Sequence, residues 1–502
     1  MLGAGPLHLF WRLRIVKHRI LGKFSSTRSS TMYNPNLHFH FTGIGGTGMS
    51  GIAEILLTLG FRVSGSDLVV GPVCKRLIGL GAAVSEGHAA ENLPHDCSLV
   101  VYSSAVSLDN EEIKEAHRRG LPVIRRAEVL AELMRLKFGV AVAGSHGKTT
   151  TTTLIGWVLE QAGLDPTVIV GGQVRSSQSG GRHGASDYLV AESDESDKSF
   201  LLLRPSIAVV TNIDKEHIST YGDVKELESS FEQFVNSVPF YGLAVLCIDD
   251  PRVQNLSRLY RRRKTLYGFS ESADIRGREV EVGRTSSSCL VDRAGEFMGR
   301  IQIPLLGRHF LQNSLAAVAV GLEFGLNFKE IAKALECFPG VRRRLEVLGE
   351  YGGVTLINDY AHHPTEIKAG LSALRESRAD SKEQIVVLFQ PHRFSRVSEC
   401  FEAFSDAFES ADQVYITDIY AAGEKDDCGV SAQRLIASIN HPAVHYFQDL
   451  REVERNIFLS LNPGDILVCM GAGSIGRFTE ELGVELNKKH RLEESNAQLA
   501  SG

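Results

Sequence analysis

The chain has 502 residues, of which 48 are glycine and only 15 proline; 43% are apolar and 23% charged. This composition excludes a collagen-like repeat and bulk disorder, and the length suggests about three domains. A net charge of −6 gives no electrostatic case for nucleic acid, no apolar run reaches the ~18 residues of a membrane span, and eight scattered cysteines without Cys-x-x-Cys spacing read as reduced, cytosolic and mostly buried.

Residues 1–31 carry six Lys/Arg and no acid; the first acid is Glu54. This basic leader reads either as a transit peptide or as an over-long start ahead of Met32, and the second is favoured because folded-looking sequence begins by Asn36. Without it, 48 basic and 60 acidic residues leave a body of net charge −12. Such a body must concentrate positive potential locally if it binds anions.

An apolar strand at Leu37–Thr42 runs into Gly43-Ile44-Gly45-Gly46-Thr47-Gly48. Apolar residues at 49, 52, 55, 56 and 59 then have helical spacing. A further strand at Phe61–Ser64 leads to Asp67, and Ser98–Ser103 reads as a buried strand. The G-x-G-x-x-G turn followed by an acid fits a site for a nucleotide diphosphate, and spacing does not separate NAD from other diphosphates.

The grammar repeats at Phe138–Ala143, which leads into Gly144-Ser145-His146-Gly147-Lys148-Thr149-Thr150 and a helix ending near Gly163. A glycine turn at a helix N-terminus presents N–H groups to phosphates; Lys148 reaches the β/γ phosphates and the Thr149 hydroxyl ligates Mg2+. The match to a phosphate loop is partial, because Val142 stands where the first glycine belongs. Gly171–Gly184 reads as a mobile loop beside the site. After the strand Tyr188–Ala191, Glu192 is the candidate metal ligand, while Asp194, Glu195 and Asp197 read as caps or solvated acids. After the strand Ile207–Thr211 comes His217, read either as a structural histidine or as a ligand of a second metal. Residues 264–306 read as a small β subregion, with helices at Asn313–Leu322 and Phe328–Leu335.

A third unit has strands at Val354–Ile357, Ile385–Phe389, Val414–Thr417 and Ile466–Met470. Polar clusters at Asp359–Glu366 and Gln390–Arg396 follow two of these strands, where open α/β sheets bind ligands. Arg393 and Arg396, three apart, share one face if helical, and each suits a carboxylate or phosphate. The turn Gly471–Gly476 reads mainly as tight packing.

Taken together, GIGGTGMSG (43–51), GSHGKTTTT (144–152), AESDESD (191–197), TNIDKEH (211–217), GRHFLQNSLAA (307–317), DYAHHPTE (359–366) and QPHRFSR (390–396) resemble the Mur ligase family over roughly residues 37–480, and within it the alanine-adding branch. The resemblance implies an α/β protein of three domains: a Rossmann-like UDP-sugar domain at 32–136, a P-loop ATP-binding domain at 137–345, and a Rossmann-like amino-acid domain at 346–488, with a polar tail at 489–502. It implies ATP-dependent joining of L-alanine to UDP-N-acetylmuramate in peptidoglycan precursor synthesis, with Mg2+, in the cytoplasm, by a monomer or weak homodimer without membrane insertion.

By the same resemblance, Gly45, Gly46, Thr47 and Gly48 cradle the UDP diphosphate, with Asp67 and Ser104 on the uridine side. Gly144–Thr150 together with Asn313, Arg344 and Asp359 bind ATP, and Thr149, Glu192 and His217 serve the metals. Tyr360, Arg393 and Arg396 hold the amino acid, and Lys148, His217, Arg344 and His363 form the catalytic set. No lysine between His217 and Phe240 matches the carbamylated lysine of many family members. The alternatives are a ligase recycling an intact tripeptide onto the same sugar, a non-enzymatic ATP-binding switch and an NAD(P)-dependent oxidoreductase.

Overall fold

The computed structural model describes residues 36–103, 105–171, 181–379 and 381–485. The basic leader, Ser104, residues 172–180 of the glycine- and serine-rich loop, and the polar tail lie outside them. The fold is α/β in three domains, each with its own sheet.

The first sheet holds β1 (His38–Thr42), β2 (Arg62–Asp67), β3 (Ala83–Glu86), β4 (Leu99–Tyr102) and β5 (Val123–Arg125). Its order is β3-β2-β1-β4-β5, all parallel, so strand order reverses beside β1, where Rossmann-like folds bind ligands. β2 extends past Ser64 to Asp67 through Gly65, where a Cβ would lie 2.5 Å from the Phe41 carbonyl. β1 alternates His38, His40 and Thr42 with Phe39 and Phe41, yet every residue is buried, because its polar face meets a buried acid described below.

The second sheet holds β6 (Phe138–Ala143), β7 (Thr167–Ile169), β8 (Gly181–Arg182), β9 (Tyr188–Glu192), β10 (Ile207–Val210), β11 (Leu243–Cys247), β12 (Lys264–Gly268), β13 (Ile275–Val282), β14 (Ser287–Arg293) and β15 (Glu296–Ile303). Its order is β15-β14-β13-β12-β11-β10-β6-β9-β7-β8. The β subregion expected at 264–306 is therefore continuous with the central sheet: β12 pairs parallel with β11, β13 pairs parallel with β12, and β13, β14 and β15 run antiparallel to one another. The helix Lys148–Gln161 is buried on nearly all sides, as its threonine- and leucine-rich sequence allows, and packs against the helix Arg308–Glu323. Fully burying Leu154, Leu159 or Leu315 stabilises the domain by about 1.5–3 kcal/mol each.

The third sheet holds β16 (Glu346–Tyr351), β17 (Val354–Asp359), β18 (Ile385–Phe389), β19 (Gln413–Ile416), β20 (Val444–Tyr446) and β21 (Ile466–Met470). Its order is β16-β17-β21-β18-β19-β20, with only β16 antiparallel to its neighbour. The Gly471–Gly476 turn is packed tightly: a Cβ on Gly473 would sit 2.6 Å from Gln390 Oε1, and one on Gly476 would sit 2.4 Å from Arg343 Cζ. All eight cysteines are free and six are buried. Among the described residues no helix is long and apolar enough to cross a membrane.

Candidate active site

The pairing of the central strands sets the site. Val142 on β6 lies opposite Glu192 on β9, and Ala143 lies opposite Val210 on β10, so Gly144–Thr150, Glu192–Asp197 and Thr211–His217 leave the sheet side by side. Two glycines in the turn are sterically required. Gly144 has φ +136° and a Cβ there would lie 2.0 Å from Thr211 Oγ1; Gly147 caps the helix at φ +79°, and a Cβ would lie 2.8 Å from Asn313 Oδ1. Ser145 Oγ accepts the Asp214 N–H at 2.8 Å. Asn212 holds both sides of the His146 residue, accepting its N–H at 2.8 Å and donating to its carbonyl at 3.0 Å.

Lys148 Nζ donates to the carbonyls of Gly144 (2.7 Å) and Ser145 (3.1 Å) and to Glu195 Oε1 at 2.8 Å. Burial opposes its charge, but Glu195 and Asp194 outweigh burial and hold the ammonium protonated. Burial likewise pushes the Glu195 carboxyl up to about 7, with Lys148 offsetting part of the effect. The expectation that Glu195 caps or faces solvent is thus corrected: it is 1% exposed, because the chain after Glu192 turns Glu195 inward over the Gly144–Thr150 turn. Asp194 and Asp197 do act locally, accepting the N–H groups of Ser196 and Ser199.

Thr149 Oγ1 donates to Glu192 Oε2 at 2.9 Å, which places the two expected metal ligands together. His217 joins a different group: ligand atoms of Glu195, Glu216 and His217 lie within 4.8 Å of one another. His217 is held at φ +58°, a strained geometry for histidine, and burial lowers its pKa, which favours the neutral form that can ligate. Glu195 Oε2 is buried with no hydrogen-bond partner among the described residues. A buried carboxylate oxygen with no donor, beside a second carboxylate and a neutral imidazole, fits a hard divalent cation.

Beyond the turn lies a cavity of about 500 Å³, lined by Gly147, Thr150, Asn313, Arg344 and Asp359 among others. It brings the expected nucleotide residues of the central and C-terminal domains together. The Asp359 carboxylate is engaged by the N–H groups of Leu345 and Ala361, both at 2.6 Å, and burial pushes its pKa up to about 6 against Arg344. Arg344 Nη1 is 3.6 Å from Glu366, and its guanidinium lies 5.5 Å from the Tyr360 ring centre. His363 is buried as the cap of the helix Pro364–Glu376, its Nδ1 accepting the Thr365 N–H at 3.3 Å. Arg393 caps the helix Phe394–Glu399 and Arg396 lies on it, its Nη1 3.3 Å from His392 Nδ1.

In the first domain Gly45 donates its N–H to Asp67 Oδ2 at 2.8 Å, so Asp67 braces the glycine turn. A Cβ on Gly48 would meet the Arg126 guanidinium at 2.6 Å. Beneath the turn, Glu112 is fully buried: its Oε2 accepts from Thr42 (2.9 Å) and Ser66 (2.7 Å) and lies 3.2 Å from His40 Nε2, and its Oε1 accepts from Asn92 (2.9 Å). Glu112 and Arg126 were not legible as site residues, since neither sits in a motif, whereas Glu195, Glu216 and Glu366 lie inside AESDESD, TNIDKEH and DYAHHPTE without a site role that spacing assigns. For Glu195 a signal existed: four acids crowd six positions directly after a buried strand.

The chain matches three consecutive family descriptions: Mur ligase family, catalytic domain (38–138); Mur ligase middle domain (142–321); and Mur ligase, glutamate ligase domain (343–473). It is 46% identical over 454 residues to UDP-N-acetylmuramate--L-alanine ligase of Geobacter sp. (strain M21), covering 90% of this chain and 98% of that protein. It is 47% identical over 455 residues to the enzyme of the same name from Desulfotalea psychrophila, covering 90% of this chain and 98% of that protein. The structure of UDP-N-acetylmuramate-alanine ligase MurC from Thermotoga maritima matches with a TM-score of 0.77 at 27% identity, covering 90% of this chain and all of that one. By fold, sequence and domain order, the chain belongs to the Mur ligase family.

Proposed function

We propose that the protein is an ATP-dependent ligase joining L-alanine to the lactyl carboxylate of UDP-N-acetylmuramate, in the cytoplasm, in peptidoglycan precursor synthesis. One observation carries the reading: the phosphate turn, with its buried Lys148–Glu195 pair, opens onto a cavity walled by residues of two domains. The alanine acceptor is supported by relatives of 44–47% identity named for alanine, and by the TM-score of 0.77 to the alanine ligase structure against 0.66 and 0.57 to two murein peptide ligase structures.

The chemistry has two steps. A carboxylate resists attack by an amine, because oxide is a poor leaving group. Transfer of the γ-phosphoryl of ATP to the sugar carboxylate gives an acyl phosphate and ADP. The alanine amine then adds to the acyl carbon, and the tetrahedral intermediate expels phosphate to leave the amide.

In this reading the N–H groups of Gly144–Thr150 cradle the phosphates, and Lys148 shifts from Glu195 onto the transferring phosphoryl group. Thr149 and Glu192 would hold one Mg2+, and Glu195, Glu216 and His217 a second. When bound, the metals neutralise charge on the phosphoryl oxygens. Asn313 and Asp359 flank the nucleoside, and Arg344 faces the γ-phosphate. Arg393 and Arg396 hold the alanine carboxylate so that its amine is aimed at the acyl carbon, with Tyr360 and His363 alongside. Gly45–Gly48 and Asp67 hold the UDP diphosphate end.

Phosphate release from ATP tests the proposal. It should require both UDP-N-acetylmuramate and L-alanine; ATP turnover indifferent to both would sink the reading. Tripeptide preferred over L-alanine in a competition assay would replace the acceptor.

A further inference from the structure

His146 belongs to the phosphate turn, but its side chain faces the C-terminal domain. Its two ring nitrogens meet carboxylates from two domains: Nε2 is 3.0 Å from Asp214 Oδ2, and Nδ1 is 3.5 Å from Glu366 Oε1. Asp214 follows β10 of the central domain, whereas Glu366 lies in the first turn of the helix Pro364–Glu376 in the C-terminal domain. From that same turn Thr365 Oγ1 donates to Asp214 Oδ2 at 2.8 Å. The His146 ring also packs on His363, with centroids 4.8 Å apart.

An imidazole flanked by carboxylates at both nitrogens is best satisfied as the imidazolium, which donates twice. The backbone that carries the ring is held by Asn212, which accepts the His146 N–H and donates to the His146 carbonyl. A displacement of Thr365–Glu366 is therefore transmitted to the backbone that presents the N–H groups of the turn.

We infer that His146 is a positioning residue that couples docking of the C-terminal domain to the shape of the phosphate turn. Phosphate binding by such turns uses backbone N–H groups, so nothing in that role alone requires a doubly paired ring at this position. The coupling readies the turn for phosphoryl transfer when the domain carrying Arg393 and Arg396 is docked, which shields an acyl phosphate from water. This last clause rests on the ligase reading; the coupling itself does not.

The test is a double-mutant cycle of His146→Asn and Glu366→Gln. It is read by the affinity for a non-hydrolysable ATP analogue, the KM for L-alanine and the affinity for UDP-N-acetylmuramate, with melting curves to check folding. Each single variant should weaken the analogue and alanine by about tenfold while leaving the sugar nucleotide unchanged. The double variant should be no worse than either single. X-ray scattering should show a larger radius of gyration with ligands for the variants than for the wild type. Effects that multiply in the double variant, or constants within twofold of wild type in His146→Asn, would overturn the inference. Should His146→Asn fail to fold, Thr365→Val removes only the second tie; it should weaken the analogue by about threefold, and unchanged affinity overturns the idea. Phosphate release by the wild type is the control: its failure removes the ligase reading while the analogue-binding cycle still decides the coupling.

Discussion

Lys148 Nζ, in the Gly144–Thr150 turn, donates to Glu195 Oε1 at 2.8 Å, and that glutamate is 1% exposed. Truncating one partner of a buried pair strands the other charge, which costs about 3–5 kcal/mol. Lys148→Ala should therefore lower stability by that order and cut turnover by roughly 10²–10³-fold or more, with UDP-sugar affinity unchanged. Adding Glu195→Gln should restore most of the melting temperature but none of the turnover. Calorimetry and phosphate release separate the two; normal turnover in Lys148→Ala would refute the phosphate role.

Gly45 is a matter of space. A Cβ there would lie 2.8 Å from Asp67 Oδ2 and 2.9 Å from Cys74 Sγ. Gly45→Ala should push Asp67 away from the turn and weaken UDP-sugar binding by about tenfold, the loss of one charge-assisted hydrogen bond. ATP-analogue affinity should not change. Titration calorimetry with both ligands checks this, and equal losses for the two would show a global rather than local effect.

Glu112 gives a pH signature. Burial raises its pKa, but bonds from His40, Asn92 and Ser66 outweigh burial and bring it down to about 2, from an ordinary 4.5. A group depressed in the folded state contributes stability above its unfolded pKa, and that contribution is lost as pH falls through the folded value. Wild type should thus exceed Glu112→Gln by on the order of 2–3 kcal/mol at pH 7, and the gap should narrow between about pH 4.5 and 2. Urea unfolding at several pH values measures it; a gap flat across that window would remove Glu112 from the account.

The arginine pair should act on the acceptor. Arg396→Ala should raise the KM for L-alanine by about tenfold or more with a smaller effect on kcat, because it removes one carboxylate contact present before and during reaction. A rise confined to the KM for ATP would place Arg393 and Arg396 on the nucleotide instead.

Much of this site could be read from residues 43–48, 144–150 and 192, because backbone that must turn sharply at a strand end demands glycine, and a phosphate at a helix N-terminus demands a nearby lysine and hydroxyl. The strand–turn–helix grammar is local, so pattern alone carried it. The extent of β2 was less legible: the strand read as far as Ser64 continues through Gly65 and Ser66 to Asp67, since the Ser64 and Ser66 hydroxyls find His40 and Glu112. The roles of Glu192 and Glu195 divided for a similar reason. Both follow the same strand, and only folding shows that one meets Thr149 while the other is buried against Lys148.

The sequence by itself determined the family, the three α/β units and the two glycine turns at strand ends, since each rests on residues within a few positions of one another. The tertiary structure alone decided which charges face each other, both across domains and within one. His146 and Glu366 lie more than two hundred positions apart, and Glu112 reaches His40, Thr42 and Ser66 from a separate helix. No spacing rule links such groups. Their pairing follows from burial, which makes an unpartnered charge costly and so selects the one packing in which opposite charges meet.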